Sequence, residues 1–390
     1  MAEMTPRERV WAAINHRTPD RVPLDIGGGN STTLVVEEYD RLKRHLGLES
    51  PTREMNKTFR LARLDESVMQ RLGSDCRPLT LKGPTRWSPP PSAPGAYVDS
   101  WGITYRQAFY GDGCYYWELA GHPLAEATVA DLDRYPWPDL DDPGYTAGLA
   151  EEARALYQDT AYTLMADCGF KSFWEIGYMM RGLEQFLVDL AADPEFVTSM
   201  MEKLLEINLK VAGRFLDAVG PYIQVFRIGD DLATQRGPLM SPRAYRTLLK
   251  PFYKKYVDFI KSKTEAKIFY HSCGNVVDLL DDLIEIGVDI INPVQVSAMG
   301  DTAALKARFG KRIVFWGAID TQHVLPHGTV ADVEAEVRLR IRDLAPGGGY
   351  VAASVHNIQP DVPPQNIIAM AEATRKYGAY PLSCGTQSAR

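Results

Sequence analysis

Short apolar stretches alternate with longer amphipathic segments through the second half of the chain. The apolar stretches, which are typical of strands, lie at residues 162–166, 223–228, 267–270, 289–291, 313–316 and 350–353. Segments with helical periodicity, such as residues 194–218 and 242–263, separate most of them. This regular alternation predicts a parallel sheet with helices packed on its faces.

The N-terminal third adds two further strands. A short helix is predicted to begin at Thr5, because Pro6 suits a first helical turn and Glu8 completes a capping box. Residues 22–26 indicate a strand that ends at a glycine-rich turn, and residues 76–81 indicate another. Eight strand-helix units predict an α/β protein with a (β/α)8 TIM barrel, although the pattern alone also allows an open doubly wound sheet.

Residues 83–120 interrupt this pattern with a proline-rich run, WSPPPSAP, and an aromatic run, YYWEL. They predict a hairpin flap inserted into a single domain that spans residues 1–390. Tyr110, Tyr115, Tyr116 and Trp117 form either a lid over the substrate, with Tyr116 as a substrate contact, or ordinary hairpin packing.

Composition and charge exclude several classes of function. The 390 residues are 45% hydrophobic and carry a net charge of −7, with no basic stripe, so nucleic acid is not an expected partner. No apolar run approaches the roughly 20 residues that span a bilayer, and the N-terminus lacks a signal-peptide pattern. Five scattered cysteines indicate reduced thiols and a cytoplasmic protein. The oligomeric state stays open, with a homodimer as the commonest soluble assembly.

The strongest candidate chemistry is His271-Ser-Cys273, at the end of a predicted strand. Residues two apart on a strand face the same side. Imidazole nitrogen and thiolate sulfur are preferred zinc ligands, and the start of a helix just after them would favour the thiolate. The pair therefore predicts a zinc site at the rim of the barrel. The alternative is a packed rim histidine beside an inert thiol.

Polar residues also follow several other predicted strands. Asp230 and Asp231 are candidate catalytic carboxylates that act as acid and base or orient a ligand, or they cap the next turn and pair with Arg236. Further candidates for substrate binding are Asp25, Asn30, Gln235, Asn292, Gln295 and Asp320. Each of these has a structural alternative, since polar residues are common in rim loops.

Five stretches resemble the uroporphyrinogen decarboxylase superfamily. They are TPRERVWAAINHRTPDRVPLDIGG (5–28), GDDLATQRGPLMSP (229–242), FYHSCGN (269–275), FWGAID (315–320) and HNIQPDVPPQNI (356–367). The resemblance covers nearly the whole chain and implies the barrel fold. It also implies one of two activities: decarboxylation of uroporphyrinogen without a cofactor, or zinc-dependent methyl transfer to or from the cobalt of a corrinoid protein.

The loop after the first strand favours methyl transfer. Decarboxylases of this superfamily carry an arginine-rich segment there, whereas this chain has DIGGGNSTTL. The resemblance implies a third zinc ligand after the last strand, typically cysteine, where this chain has His356. We therefore expect Zn²⁺ bound by His271, Cys273 and His356, and cobalamin carried by a separate corrinoid protein.

The direction of methyl transfer stays open. A small-molecule donor, such as a methyl ether undergoing O-demethylation, or a thiol acceptor would meet the corrinoid protein at the barrel rim. The alternatives are a cofactor-free decarboxylase, in which Asp25 or Asp231 stabilises a protonated pyrrole, and a non-catalytic ligand-binding member of the superfamily.

Overall fold

The computed structural model describes residues 3–111, 114–169 and 172–382, so Phe170 and Cys384 lie outside the described residues. The strands are β1 (Arg53–Asn56), β2 (Leu61–Arg63), β3 (Cys76–Thr80), β4 (Ala96–Val98), β5 (Thr104–Gly111), β6 (Cys114–Gly121), β7 (Thr163–Asp167), β8 (Val225–Gly229), β9 (Lys267–His271), β10 (Ile290–Asn292), β11 (Val314–Ile319) and β12 (Tyr350–Ser354). Strands β3 and β7 to β12 form one parallel sheet in chain order.

Residues 22–26 close this sheet into a barrel. Leu24 forms a parallel bridge with Ala352 of β12, and its carbonyl accepts a hydrogen bond of 2.8 Å from the backbone N–H of Asp75, just before β3. Pro23 has no N–H to donate, which limits regular pairing in this segment. The segment still occupies the position of the eighth strand, and the predicted α/β barrel is confirmed.

The helices surround the sheet. They are α1 (Pro6–Ile14), α2 (Val36–His45), α3 (Glu66–Leu72), α4 (Val129–Leu132), α5 (Leu149–Asp159), α6 (Trp174–Arg181), α7 (Leu183–Ala192), α8 (Pro194–Val219), α9 (Pro242–Ala244), α10 (Lys250–Lys263), α11 (Leu280–Ile286), α12 (Val296–Met299), α13 (Thr302–Phe309), α14 (Val324–His327), α15 (Val330–Leu344) and α16 (Pro364–Tyr377). A π-helical turn over Tyr245–Leu249 joins α9 to α10. The helix predicted over residues 242–263 is therefore interrupted. None of the described helices is long and apolar enough to span a bilayer.

Helix α1 closes the N-terminal end of the barrel. Its predicted capping box is present, since Thr5 accepts from the N–H of Glu8 and the Glu8 carboxylate accepts from Thr5. Val10, Ala13 and Ile14 pack with the side chains that fill the barrel interior. That interior set is Cys76, Met165, Val225, Phe269, Ile290, Val314, Trp316, Val351 and Ala353. With this end filled, the C-terminal end of the barrel remains for a binding site.

The predicted insertion forms an antiparallel sheet of β4, β5 and β6, which we call the flap. The sequence pattern did not reveal a second hairpin, β1–β2, that packs against it. The Lys57 ammonium lies 4.0 Å from the centre of the Tyr97 ring, and the Thr58 and Tyr97 hydroxyls are 2.8 Å apart. The flap and the β1–β2 hairpin together form a roof beside the C-terminal end of the barrel.

Candidate metal centre

His271, the last residue of β9, points into the barrel with its ring orientation fixed. It faces the same side as Phe269, which packs on Trp316 inside the barrel. The Asn292 amide donates a hydrogen bond of 3.0 Å to the Trp316 carbonyl, so its oxygen is the atom 2.5 Å from His271 Nδ1. Nδ1 therefore carries the proton, and the lone pair of Nε2 is available for a ligand.

The Cys273 side chain lies close to His271 Nε2 because the chain turns at Gly274. This glycine has a φ of +85°, and a Cβ there would lie 2.5 Å from the Ala233 carbonyl oxygen, so only glycine fits. Cys273 Sγ lies 3.5 Å from His271 Nε2. His356 follows β12, and ligand atoms of all three residues lie within 4.8 Å of one another. The three predicted metal ligands therefore converge.

The electrostatics of this cluster favour a neutral histidine pair. Burial, aided by the positive charge of Arg227, lowers the pKa of His271 to about 3. Burial also lowers the pKa of His356 and raises the pKa of the Cys273 thiol well above its ordinary value. A cation that binds here meets two imidazoles ready to coordinate and must displace one thiol proton.

Two predicted polar residues hold the loop that carries Cys273. Asp231 Oδ1 accepts a hydrogen bond of 2.8 Å from the Cys273 N–H and lies 3.8 Å from His271 Nε2. Gln295 Oε1 accepts a hydrogen bond of 2.7 Å from the Gly274 N–H. With Asn292, these side chains approach the cluster from the ends of β8 and β10, the two neighbours of β9. Asp231 and Gln295 stabilise the turn that brings the thiol to the histidine.

A cavity of about 230 Å³ opens above this cluster. From the barrel and its rim loops it is lined by Asn30, Ser31, Gly169, Arg227, Gly229, Asp231, His271, His356 and Asn357. The roof contributes Asn56, Thr58, Phe59, Leu61, Asp99, Trp101 and Tyr105, and α6 contributes Glu175, Ile176 and Met179. The cavity is therefore a small site with the metal-ligand cluster on its wall and aromatic side chains opposite the barrel.

The model of the uroporphyrinogen decarboxylase (URO-D) family matches residues 121–377, about two thirds of the chain. The chain belongs to this family. A uroporphyrinogen decarboxylase of Pseudoalteromonas translucida is 23% identical over 193 residues, 48% of this chain and 50% of that protein. One of Synechococcus sp. is 26% identical over 178 residues, 44% of this chain and 48% of that protein. The chain thus spans about half the length of the curated relatives it matches.

Among solved structures, a methyltransferase from Methanosarcina mazei superposes with a TM-score of 0.66 at 20% identity, covering 96% of this chain and 99% of that one. At this level of identity the match shows a shared fold. Together with the family match, it confirms the superfamily that the sequence motifs indicated.

In this URO-D family member the adjacent carboxylates Asp230 and Asp231 have different surroundings. Asp230 is fully buried and does not line the cavity. It accepts hydrogen bonds from the N–H groups at the start of α6, at 2.8 Å from Phe173 and 3.0 Å from Glu175, and from the Tyr253 hydroxyl. Burial raises its pKa to about 7. Asp230 thus positions α6, and the catalytic role predicted for it stays a prediction.

Other predicted substrate contacts are also spread over the URO-D barrel. Asn30 lines the cavity and donates a hydrogen bond of 2.8 Å to Asp167. Asp25 is buried, accepts from the N–H of Gly28 at 2.8 Å and from the Trp316 indole at 3.0 Å, and burial raises its pKa to about 6. Asp320 accepts from the Gln322 N–H at 2.7 Å, within its own loop. Of these three, only Asn30 reaches the cavity.

Gln235 and Tyr116 lie outside the cavity. Gln235 is exposed on the loop after β8. Tyr116 is 47% exposed on the flap, where it packs beside Tyr110 at 5.5 Å between ring centres. The flap does cover the site with aromatic side chains, but the contacts come from Trp101 and Tyr105.

Sequence reasoning missed Arg227, the one arginine among the residues that line the cavity in the described part of the chain. The sequence did contain a signal for Arg227. Alternate residues of a strand face the same side, so Arg227 and Gly229 face the barrel interior together with Val225. Glu175 and Phe59 were also missed. Glu175 reaches the cavity because Asp230 holds the start of α6, and Phe59 reaches it from the β1–β2 hairpin. Neither arrangement can be recognised from the local sequence pattern.

Proposed function

We propose that this chain is a zinc-dependent methyltransferase that moves a methyl group between a small molecule and the cobalt of a corrinoid carried by a separate protein. The observation that carries the proposal is the convergence of His271, Cys273 and His356 within 4.8 Å. A tetrahedral zinc ion bound by one imidazole nitrogen and one thiolate sulfur separates these two atoms by about 3.6 Å. The separation in this chain is 3.5 Å.

The donor set suits a catalytic zinc. Two imidazoles and one thiolate leave a coordination position open for a substrate oxygen or sulfur. Zinc held by these residues would supply Lewis acidity for a leaving alkoxide or phenolate, or for a thiol substrate. Asn292 keeps His271 Nε2 aimed at the ion, and Asp231 holds the Cys273 loop. Phe59, Trp101 and Tyr105 of the roof would cover the reacting group on the side opposite the barrel.

Three further points support this assignment. The Methanosarcina mazei protein that shares the fold is a methyltransferase. The cavity is small for a porphyrinogen with eight carboxylates. Among the described residues that line it, Arg227 is the one arginine available to bind those carboxylates. A cytoplasmic location is part of the proposal, because a zinc-binding Cys273 must stay reduced.

The second candidate is a cofactor-free decarboxylase, which the names of the curated relatives favour. In that reading Asp231 would stabilise a protonated pyrrole at the cavity wall. The third class, a non-catalytic ligand-binding protein, would keep the cavity and lack turnover with either substrate type.

The deciding experiment combines metal analysis with two activity assays on the purified full-length chain. We expect about one zinc ion per chain and methylation of Co(I) cobalamin by a small methyl ether or methyl thioether, followed by the visible spectrum of cobalamin. Turnover of uroporphyrinogen by metal-free protein would overturn the proposal in favour of the decarboxylase. Zinc-free protein inactive in both assays would favour the ligand-binding class.

Asn292→Ala is expected to weaken zinc binding by about 10- to 100-fold, because hydrogen bonds behind a metal-binding histidine tune its orientation and basicity. Competition with a chromogenic chelator measures the affinity. The matched control is Asn366→Ala, which removes another buried amide that donates to backbone carbonyls, those of Leu325 and Gly328. Equal zinc affinities for the two variants would contradict the role given to Asn292.

A further inference from the structure

We propose that Arg227 binds the carboxylate of an organic acid substrate on the barrel side of the cavity. This inference rests on the proposed function, because it names the class of molecule that reacts beside the metal centre. Arg227 lies on β8 and points into the cavity with 20% of its side chain exposed. A half-buried guanidinium inside a small cavity is a recognition element for planar anions.

Arg227 keeps most of its hydrogen-bonding capacity for a ligand. A guanidinium has five N–H donors. Nε donates to the Ser31 hydroxyl at 2.9 Å, and Nη1 lies 3.4 Å from Asp167 Oδ2. Within the described residues Nη2 has no hydrogen-bond partner. The two Nη atoms therefore present an end-on fork that matches the two oxygens of a carboxylate.

The charge distribution around Arg227 limits the ligand to a single negative charge. Asp167 already accepts hydrogen bonds from Asn30 and from the Gly169 N–H, at 2.8 Å each, so it is a fixed partner that neutralises part of the guanidinium charge. With a bound monocarboxylate, Arg227, Asp167 and the ligand together carry a charge of about −1; a dianion would add a second uncompensated charge beside Asp167 and is therefore disfavoured. Asp231, Glu175 and Asp99 also line the cavity and disfavour an anionic group near them, so the carboxylate of the acid is directed to Arg227.

The cavity sets the size of the substrate. The Arg227 guanidinium lies against Ser31 and Asp167 at the barrel wall, and Phe59, Trp101 and Tyr105 line the same cavity from the roof. A space of about 230 Å³ between these two sides suits an acid with a single aromatic ring, which packs on the aromatic side chains of the roof.

The test compares two probes of the same shape and different charge, 4-methoxybenzoate and 4-methoxybenzamide. Calorimetric titration of the zinc-loaded full-length chain is expected to show about tenfold tighter binding of the acid, because hydrogen bonds to an ionised group are the stronger kind. In Arg227→Gln we expect the preference to fall to about twofold or less, and Arg227→Lys to recover part of it. The matched control is Arg243→Gln, at an exposed arginine on α9 outside the cavity.

Each outcome separates this inference from the proposed function. Wild-type protein that holds zinc but binds acid and amide equally overturns the inference and leaves the zinc methyltransferase proposal standing. An acid preference that persists unchanged in a folded Arg227→Gln also overturns it. An acid preference lost in Arg227→Gln but kept in Arg243→Gln supports it, even in a chain that holds no zinc, and a zinc-free chain counts only against the methyltransferase proposal.

Discussion

Cys273→Ala is expected to weaken zinc binding by about two orders of magnitude. Structural zinc sites in small peptides bind with about 10–16 kcal/mol. Sharing that energy over four ligands gives about 3 kcal/mol per ligand, which corresponds to a factor of roughly 100 to 200. Methyl transfer should fall by roughly 10³-fold, because several kcal/mol of transition-state stabilisation depend on the ion.

The control for Cys273→Ala is Cys114→Ala. Both thiols are half-buried, and Cys114 lies on β6 of the flap, away from the histidines. Zinc content by mass spectrometry and methylation of Co(I) cobalamin measure the two effects on the same samples. If both variants kept one zinc per chain and full activity, the sulfur of Cys273 would not be a ligand, and the assignment of the metal centre would fail.

Asp230→Ala is expected to lower the free energy of unfolding by about 3–5 kcal/mol, since each buried N–H left without an acceptor costs about 1–3 kcal/mol. The N–H groups affected are those of Phe173, Trp174 and Glu175 at the start of α6. Urea unfolding followed by tryptophan fluorescence measures the change. Because α6 carries Glu175 into the cavity, the same variant should also bind substrate less well.

Asp231→Ala is the comparison that separates the two adjacent carboxylates. The Asp231 side chain is 40% exposed and holds the Cys273 N–H. We expect its removal to cost less than about 1 kcal/mol of stability, as for most exposed positions, while methyl transfer falls. Equal losses of stability in the two variants would show that the assignment of Asp230 to the α6 terminus is wrong.

The barrel could be predicted from sequence because its units are local. Most strands of the sheet are short apolar runs followed by a helix, and the predicted bounds of β3, β7 and β9 differ from the observed ones by one residue. The His271-Ser-Cys273 pair was also a local signal, since alternation along β9 and the turn at Gly274 lie within four residues of chain.

The β1–β2 hairpin and the π-helical turn at Tyr245–Leu249 could not be predicted in the same way. β1 and β2 have few fully buried residues, so their apolar pattern is weak. They are stabilised by packing on the flap, for example by the contact of Lys57 with Tyr97. The flap itself was visible as a break in the barrel pattern, but which of its aromatic residues face the cavity depends on the hairpin below it.

The sequence by itself determined the alternating fold, the pairing of His271 with Cys273 and the position of His356 after the last strand. Only the tertiary structure decided that His356 approaches that pair, that Asp230 holds α6 while Asp231 faces the cavity, and that Arg227 lies on the barrel side of the cavity. The physical reason is that side-chain direction alternates along a strand with a period of two residues, so the local sequence determines it. Which side chains meet across the barrel depends on closure between residues 22–26 and β12, more than 300 positions apart along the chain.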